Sequence, residues 1–282
     1  MTSTTHDAVG EERRTTSTVG TAADTASHPN EMKLCDLTHR FRTPEGKVMT
    51  AVEDISLTVS PNEFVAIVGP SGCGKSTLLN IISGLLRPTQ GQVLLGGQAT
   101  NGVSRDVGYM PARDSLLPWR TCRENVEFPL ELQHQGTRRE RAQVATELLS
   151  AVGLEGFESH FPSALSHGMR QRVAVARTFA TSPRILLMDE PFSALDAQTK
   201  IVVQDLFLKM RESRQQTVVL ITHDVMEAVA LADRVVVLSP RPGRIRSIHE
   251  IDLPRPRSVR HLLFDEPKFQ GYLHGIWGDL DV

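Results

Sequence analysis

The chain has 282 residues, of which 40% are hydrophobic and 23% are charged, and its formal net charge is −2. This length suffices for one large domain or two modest ones with a substantial core. The small net charge lacks the basic excess that is typical of proteins that bind DNA or RNA, so we expect no nucleic-acid partner. No apolar run approaches the roughly 20 residues that span a bilayer, and three widely spaced cysteines form neither a disulfide framework nor a metal site, which favours a reducing cytoplasm.

Residues 1–30 are rich in Thr, Ser, Ala and Gly and contain almost no large apolar residues, which predicts a disordered tail. From about residue 31 to residue 240, short apolar runs alternate with longer helical patterns, as in an α/β domain with a mostly parallel sheet. Four of the runs predict buried strands, at 64–68, 185–188, 218–222 and 235–238. We find no internal repeat, so we expect one such core per chain.

A glycine-rich segment follows the first predicted strand and precedes an apolar-faced helical pattern. Its sequence, GPSGCGKS, matches GxxxxGK[ST] in full. Glycines at this spacing let backbone N–H groups turn onto phosphate oxygens, and the start of the helix adds the positive end of its dipole. Lys75 is predicted to contact the β- and γ-phosphates, and the Ser76 hydroxyl to ligate Mg²⁺. The predicted nucleotide-binding residues are Gly69, Pro70, Ser71, Gly72, Cys73, Gly74, Lys75, Ser76 and Thr77.

The thiol of Cys73 lies inside this phosphate loop. We therefore expect it to be alkylated readily in the nucleotide-free protein and to be protected by a bound nucleotide.

The stretch 107–119 reads VGYMPARDSLLPW. Pro111 and Pro118, with the charged pair Arg113–Asp114 between them, favour a loop over a strand or a helix core. An exposed Leu-Leu-Pro-Trp cluster usually marks an interface, whereas the same side chains folded inward would belong to the core. These residues alone leave both possibilities open. The charged amphipathic patterns that follow predict a helical subdomain over about residues 113–165.

The predicted strand 185–188 ends in two carboxylates, Asp189 and Glu190. A buried strand here delivers Asp189 to the metal ion, and Glu190 can polarise a water molecule aimed at the γ-phosphate. Acidic strand ends are common in α/β proteins, but together with the phosphate loop this pair favours hydrolysis over transfer of a phosphoryl group to a bound acceptor.

Three further stretches resemble ATP-binding cassette (ABC) proteins. LSHGMRQR at 165–172 resembles their LSGGQ-type signature, with Ser166 as the N-cap of a helix and Gly168 leaving the backbone open to an anion. SALD at 193–196 resembles their D-loop, and His223, after the strand 218–222, resembles their switch histidine. Order and spacing agree from about residue 32 to residue 238.

The resemblance implies an ABC-type P-loop NTPase domain: an α/β fold with a mostly parallel core sheet, an antiparallel β edge and a helical subdomain, followed by a peripheral extension over 241–282. It also implies a homodimer in which each ATP, with Mg²⁺, lies between the phosphate loop of one copy and Ser166 and Gly168 of the other. His223 then contacts the γ-phosphate, Asp196 lies at the nucleotide, and Phe41 stacks on the adenine, although a core residue could equally occupy position 41.

Two positions depart from the family pattern. His167 replaces a glycine of the signature, so its imidazole needs room near the partner's nucleotide unless it points away or donates to the phosphate. Ala112 replaces a glutamine that normally reaches toward Mg²⁺ and the attacking water, and a methyl group can do neither. Either water or a neighbour, Arg113 or Asp114, takes over that role, or hydrolysis is slower.

In the family, the residues after this glutamine position line a groove for a coupling helix of a membrane permease. The resemblance therefore favours the interface for Leu116, Leu117, Pro118 and Trp119. Together with the segments 63–77 and 252–257, they most resemble the nitrate/sulfonate/taurine branch of bacterial importers.

The resemblance thus implies a peripheral, ATP-hydrolysing subunit at the cytoplasmic face of the cell membrane. It would bind transmembrane permease subunits and work indirectly with an extracytoplasmic solute-binding protein. The alternatives are a nucleotide-gated regulatory subunit with little turnover, a soluble ABC ATPase and a small-molecule kinase.

Overall fold

The structure is a computed structural model that describes residues 1–2, 28–44 and 46–280. Most of the predicted disordered tail, residues 1–30, lies outside the described residues. The strands are β1 Met32–Arg42, β2 Val48–Val59, β3 Phe64–Val68, β4 Gln90–Leu95, β5 Gln98–Ala99, β6 Val107–Met110, β7 Ile185–Asp189, β8 Thr217–Ile221, β9 Arg234–Leu238 and β10 Ile245–Glu250. The helices are α1 Lys75–Ile82, α2 Cys122–Leu132, α3 Arg138–Ala151, α4 His167–Phe179, α5 Ala197–Glu212, α6 Val225–Leu231, α7 Val259–Asp265 and α8 Pro267–Leu280.

A six-stranded sheet in the order β10-β9-β3-β8-β7-β6 forms the core. Strands β9, β3, β8, β7 and β6 run parallel, and β10 pairs antiparallel with β9. Every residue of β3 and of β8 is buried, because helices and the second sheet cover both faces. The four predicted strands are confirmed to within one residue at each end.

The second sheet is antiparallel and has the order β2-β1-β4-β5. Its apolar side packs on α1 and on one face of the core sheet, in a cluster that includes Met32, Leu37, Ile55, Leu79 and Ile67. This sheet is the expected antiparallel β edge. The α/β fold with a mostly parallel core sheet is therefore confirmed.

The stretch 107–119 is only partly a loop. Residues Val107–Met110 form β6, an edge strand that pairs in parallel with β7. The prediction of a loop over the whole stretch was wrong for these four residues, because their pairing with a strand about 80 residues later has no local sequence signal. The loop begins at Pro111, where the missing N–H ends the ladder.

Helices fill the stretch after this loop, as predicted. α2 and α3 each begin with a capping box: the Thr121 hydroxyl accepts from the Glu124 amide while Glu124 binds back, and Thr137 pairs with Glu140 in the same way. Both helices pack on each other and on α4, with Leu148 and Leu149 buried between them. Within the described residues, no helix combines the length and the apolar character that crossing a membrane requires.

The segment 241–282, expected to be a peripheral extension, contributes a strand and two helices that pack against the core. β10 adds an edge strand to the core sheet, and α8 packs on α6, β9 and β10. Phe269 and Ile276 of α8 are fully buried in the main hydrophobic core. The Pro- and Arg-rich composition concealed this, because only three of the 14 residues of α8 are buried: Phe269, Leu273 and Ile276.

Asp233, just before β9, ties this segment to the sheet. Its carboxylate accepts a hydrogen bond from the Phe64 amide at 2.9 Å and pairs with Arg255. It is also the nearby acid for two buried arginines, Arg211 at 3.7 Å and Arg257 at 3.6 Å, whose exposed fractions are 4% and 6%. Burial and the positive charge of Arg255 lower the pKa of both guanidinium groups to about 10, which indicates that this cluster is short of negative charge.

We predict that Asp233→Asn lowers the free energy of unfolding by about 2 kcal/mol, because it removes the charge that faces two buried arginines while keeping an oxygen for the Phe64 amide. The value is below that of a fully buried pair since Asp233 is partly exposed. Urea-induced unfolding measures the loss. The matched control is Asp252→Asn, whose partner Lys268 is exposed, and it should leave the unfolding midpoint unchanged. Equal midpoints for Asp233→Asn and the native chain would contradict the proposed tie.

Candidate nucleotide-binding and hydrolysis site

The phosphate loop joins the carboxyl end of β3 to the start of α1 and needs glycine at two positions. Gly72 and Gly74 have φ values of +76° and +104°. A Cβ on Gly74 would lie 2.7 Å from the Ala51 carbonyl oxygen and from a methyl of Val52, so no side chain fits. No side chain caps α1, and its first turn holds no acidic residue. Its first amides are therefore left for an anion, as the sequence predicts.

Lys75 is the first residue of α1 and lies against this loop. Its Nζ donates to the carbonyl oxygens of Gly69 at 2.7 Å and Pro70 at 3.0 Å, and the residue is 8% exposed. The ammonium is thus held beside the amides, where a β- or γ-phosphate can take over its hydrogen bonds.

Ser76 and Asp189 come together from elements far apart in sequence. The Ser76 hydroxyl donates to Oδ1 of Asp189, at the end of β7, at 3.3 Å. The pKa of Asp189 is raised above its usual value. Burial is the largest cause, and the charge of Glu190 acts in the same direction, whereas the hydrogen bond from Ser76 lowers the pKa. A hydroxyl and a carboxylate are the hard oxygen donors that Mg²⁺ prefers, and Mg²⁺ commonly takes its other ligands from water and phosphates. The donor set therefore fits the predicted Mg²⁺. Among the described residues, no cluster of three or more His, Cys, Asp and Glu that could hold a metal is found.

Glu190 and His223 are adjacent at the same edge of the sheet. His223 Nδ1 lies 3.1 Å from Oε2 of Glu190, and both side chains are open to solvent in part. Glu190 has a φ of +47°, an uncommon value for a residue with a side chain. Two contacts fix this backbone: the Glu190 amide donates to the Ile221 carbonyl at 2.8 Å, and the Ser193 hydroxyl donates to the Glu190 carbonyl at 2.9 Å. Such fixed strain is typical of functional positions and aims the carboxylate at the site.

The structure adds Tyr109, which the sequence did not single out. Tyr109 lies on β6, near enough to Asp189 for the two side chains to influence each other's pKa. Burial and the charge of Asp189 raise the pKa of the Tyr109 phenol to about 12. The parallel register of β6 and β7 places Tyr109 near Asp189, and this register has no local sequence signal.

The signature and the D-loop pack on each other through Thr199. The Ser166 hydroxyl caps α4 by accepting from the Met169 amide at 3.3 Å, and Asp196 caps α5 by accepting from the Thr199 amide at 3.0 Å. A Cβ on Gly168 would lie 2.5 Å from the Thr199 methyl, so Gly168 has no room for a side chain. His167 is exposed in the first turn of α4.

These signature residues form a second half-site, apart from the phosphate loop. Within the described part of the chain, no hydrogen bond or ion pair joins Ser166, Gly168 or Asp196 to the loop 69–77. Buried Gln171 is the link that the sequence missed: its amide donates to the Pro191 carbonyl, one residue after Glu190. A movement of α4 therefore reaches the segment that carries the candidate base.

Phe41 is partly exposed on β1, directly opposite Met49 of β2. Its ring contacts His39 edge-on, with centroids 4.5 Å apart. Phe41 thus lies at the open end of the antiparallel sheet rather than in the core.

The Leu-Leu-Pro-Trp segment divides into an inner and an outer part. Leu116 is half-buried and packs on the core, whereas Trp119 is 70% exposed. Fully buried Asn125 holds the segment: its carbonyl accepts from the Leu117 amide at 2.8 Å, and its NH₂ donates to the carbonyls of Leu117 and Arg120. Nothing in the sequence singles out Asn125, because an Asn in a helix is usually a solvent-facing residue.

Two arginines of α4 tie the same loop to the signature helix. Arg170 pairs with Asp114 at 2.9 Å, and Arg177 donates to the carbonyls of Asp114 and Ser115 at 2.7 and 2.8 Å. The Asp114 carboxylate is therefore held in an ion pair with the Arg170 guanidinium. The Arg113 guanidinium makes no hydrogen bond among the described residues, and only the Arg113 carbonyl is engaged, by the Ser115 hydroxyl.

Trp119 lies at one end of a cleft of about 770 Å³ between α2 and α3. Its walls are mostly charged, including Arg120, Glu127 and Arg138. Burial raises the pKa of the Glu127 carboxyl. The cleft thus offers a charged wall beside an aromatic anchor.

Cys73 differs from the expectation of ready alkylation. The residue is 1% exposed, and burial raises the pKa of its thiol even though Lys75 and Arg241 lower it. Because the thiolate is the reactive species, a buried thiol with a raised pKa reacts slowly. The loop sequence places Cys73 beside phosphate but does not disclose that its side chain points into the core.

The chain matches the family model described as "ABC transporter" over residues 52–193, about half of its length. It is 49% identical to an uncharacterized ABC transporter ATP-binding protein of Methanocaldococcus jannaschii over 236 residues, which are 84% of this chain and 88% of that protein. It is 43% identical to a nitrate import ATP-binding protein of Synechocystis over 245 residues, 86% of this chain and 91% of that protein.

Among solved structures, it resembles the dimeric post-hydrolysis state of an ATP-binding cassette bound to ADP and Pi. The TM-score is 0.70 at 35% identity, and the match covers 79% of this chain and all of that one. With the phosphate loop, the carboxylate pair and the signature helix in their places, the chain belongs to the ATP-binding domains of the ABC transporter family.

Proposed function

We propose that this chain hydrolyses ATP to ADP and phosphate, and that two copies of it power a membrane importer. The observation that carries the proposal is the meeting of Lys75, Asp189, Glu190 and His223 at one edge of the sheet, with Ser166 in a separate half-site. A soluble ABC ATPase or a small-molecule kinase finds no comparable support, since the related proteins of Methanocaldococcus jannaschii and Synechocystis carry transporter or import names.

In the proposed reaction, Glu190 orients a water molecule in line with the γ-phosphate and accepts its proton. His223, whose Nδ1 lies 3.1 Å from the Glu190 carboxylate, contacts the γ-phosphate in this proposal. Lys75 and the amides of the phosphate loop balance the negative charge that builds up on the β- and γ-oxygens. Mg²⁺, held by Ser76 and Asp189, would neutralise further charge on these oxygens.

A second copy completes the site in this proposal. The start of α4, with Ser166 and Gly168, is a helix terminus that can bind an anion. It lies apart from the phosphate loop of its own chain. Head-to-tail packing of two copies would bring this terminus to the partner's γ-phosphate. Support comes from the related cassette structures, which are described as dimeric. ATP then favours the closed dimer, because only in that state does one ATP contact both half-sites.

The transport role rests on the loop that carries Trp119. Its exposed aromatic anchor suits a helix of a permease subunit, and the charged wall between α2 and α3 can pair with polar residues of that helix. Arg170 and Arg177 join the loop to α4, and Gln171 joins α4 to the segment after Glu190. A permease movement would thereby reach both half-sites.

The cargo we propose is a small anion such as nitrate, a sulfonate or taurine, delivered by an extracytoplasmic binding protein. It follows from the nitrate import names of related proteins, since no residue of this chain needs to touch the cargo. The chain would lie at the cytoplasmic face of the membrane through its permease.

A nucleotide-gated subunit with little turnover is the second candidate. It is favoured by Ala112, which offers no polar group, and by the engagement of neighbouring Asp114 with Arg170.

We predict that steady-state ATPase activity per chain rises with protein concentration, because two copies form each site. Glu190→Gln should lower the rate at least about 100-fold while ATP still binds, since the amide cannot accept the proton of water. Exposed Glu155 supplies the control variant, Glu155→Gln, with native activity expected. If the native chain binds ATP but shows no turnover at any concentration, the second candidate is favoured. Turnover that survives in Glu190→Gln would remove Glu190 from its role.

For Cys73, we predict slow modification by a maleimide and a further decrease of the rate when ATP is bound, because ATP closes the loop over it. Partly exposed Cys35 should react faster, and buried Cys122, whose thiol pKa is raised to about 11, should react slowly with or without ATP. Mass spectrometry of peptides after timed labelling measures all three rates at once. An equal rate for Cys73 with and without ATP would count against nucleotide binding at this loop.

A further inference from the structure

A short loop between β9 and β10, residues 239–244, lies directly against the phosphate loop. Ser239 and Arg244 close it, with the Ser239 amide donating to the Arg244 carbonyl at 2.9 Å. The Gly243 amide donates to the Ala51 carbonyl at 2.9 Å, and a Cβ on Gly243 would lie 2.1 Å from the Cys73 carbonyl oxygen. The loop 239–244 is therefore fixed at the mouth of the candidate nucleotide site.

Arg241, at the tip of this loop, spans the two parts of the site. Its Nε donates to the Gly72 carbonyl at 3.0 Å, and its Nη1 lies 3.0 Å from the sulfur of Met49. Met49 is directly opposite Phe41 in the β1–β2 pair. The guanidinium thus lies between the phosphate loop and the strand position that carries the candidate adenine platform.

The charge of Arg241 is not neutralised by a carboxylate. Among the described residues it has no acidic partner, its Nη2 has no hydrogen bond, and a thioether is only a weak acceptor for Nη1. Arg244, three residues on, pairs with Glu53 at 2.8 Å instead. Arg241 nevertheless acts on the phosphate loop, since its positive charge is one of the influences that lower the pKa of the buried Cys73 thiol.

We propose that Arg241 binds the nucleotide directly, at the α-phosphate and the adjoining ribose. The inference rests on the proposed nucleotide site: loop amides and Lys75 take the β- and γ-phosphates, and Phe41 takes the adenine. The α-phosphate and the ribose are the groups left between them, where Arg241 lies. A guanidinium with free donors matches phosphate oxygens in charge and geometry.

This position has a specific kinetic consequence. ATP and ADP share the α-phosphate, so Arg241 stabilises both complexes, and to a similar extent the transition state. Its removal should weaken nucleotide binding without slowing the chemical step, which is the signature of uniform binding. Lys75, in contrast, acts on the phosphates that change during hydrolysis.

The test compares Arg241→Gln and Arg241→Lys with Arg244→Gln, a charge-removing control in the same loop. Isothermal titration with Mg-ATP and Mg-ADP, in the catalytically inactive Glu190→Gln background for ATP, gives the dissociation constants at low and high salt. Arg241→Gln should weaken both nucleotides about tenfold at low salt and less at high salt, because salt screens a charge contact. Arg241→Lys should recover part of the loss, and Arg244→Gln should stay within about twofold of the native constants. With Glu190 intact, Arg241→Gln should raise KM and leave kcat unchanged.

Three results would overturn the proposal. Native affinity of Arg241→Gln for both nucleotides would remove the contact. An equal loss in Arg244→Gln, or a loss that Arg241→Lys does not restore and salt does not change, would show that Arg241 only shapes the loop. A loss confined to ATP with a fall in kcat would place Arg241 at the γ-phosphate. Failure of the native chain to bind either nucleotide would instead refute the proposed function itself, and the inference with it.

Discussion

The site depends on one constraint, the parallel pairing of the buried strands β3, β8 and β7. In a parallel sheet all carboxyl ends meet at one edge, so the residues that follow these strands must gather there. The phosphate loop follows β3, His223 follows β8, and Asp189 and Glu190 end β7. Groups more than 100 residues apart thereby reach hydrogen-bonding distance, as Ser76 and Asp189 do. The largely apolar strands that fix this edge are also the centre of the core, so stability and the candidate site rest on the same packing.

The two half-sites use one physical device in two forms. Both place the start of a helix where an anion can meet its free amides, at α1 after glycines and at α4 after Ser166. They differ in the contacts that hold each helix start in place. The loop before α1 is held by backbone contacts that only glycine permits, whereas the start of α4 is held by Thr199 and, through Gln171, by the segment after Glu190.

The charged contacts around α4 suggest how distant parts of the chain act together. Arg170 and Arg177 bind the loop before α2, so the exposed Trp119 and the signature helix share one set of supports. Each of these contacts reaches backbone carbonyls or a carboxylate from a partly buried guanidinium, where the planar fork of arginine gives direction as well as charge. The C-terminal segment is attached in a similar way by Arg255 and Arg257 at Asp233.

The sequence by itself determined the fold class and the four central strands, and it pointed to the phosphate loop and to Asp189, Glu190, Ser166 and His223 as candidate site residues. It could do so because these features depend on contiguous residues: an apolar run, a glycine spacing, a cap before a helix. Tertiary structure alone decided the strand at 107–110, the burial of Cys73, the support of the Trp119 loop by Asn125 and the packing of residues 245–276 into the core. It also decided the positions of Tyr109 and Arg241. Each of these depends on a contact with a residue distant in sequence, or on which way a side chain faces, and neither leaves a pattern in the local sequence.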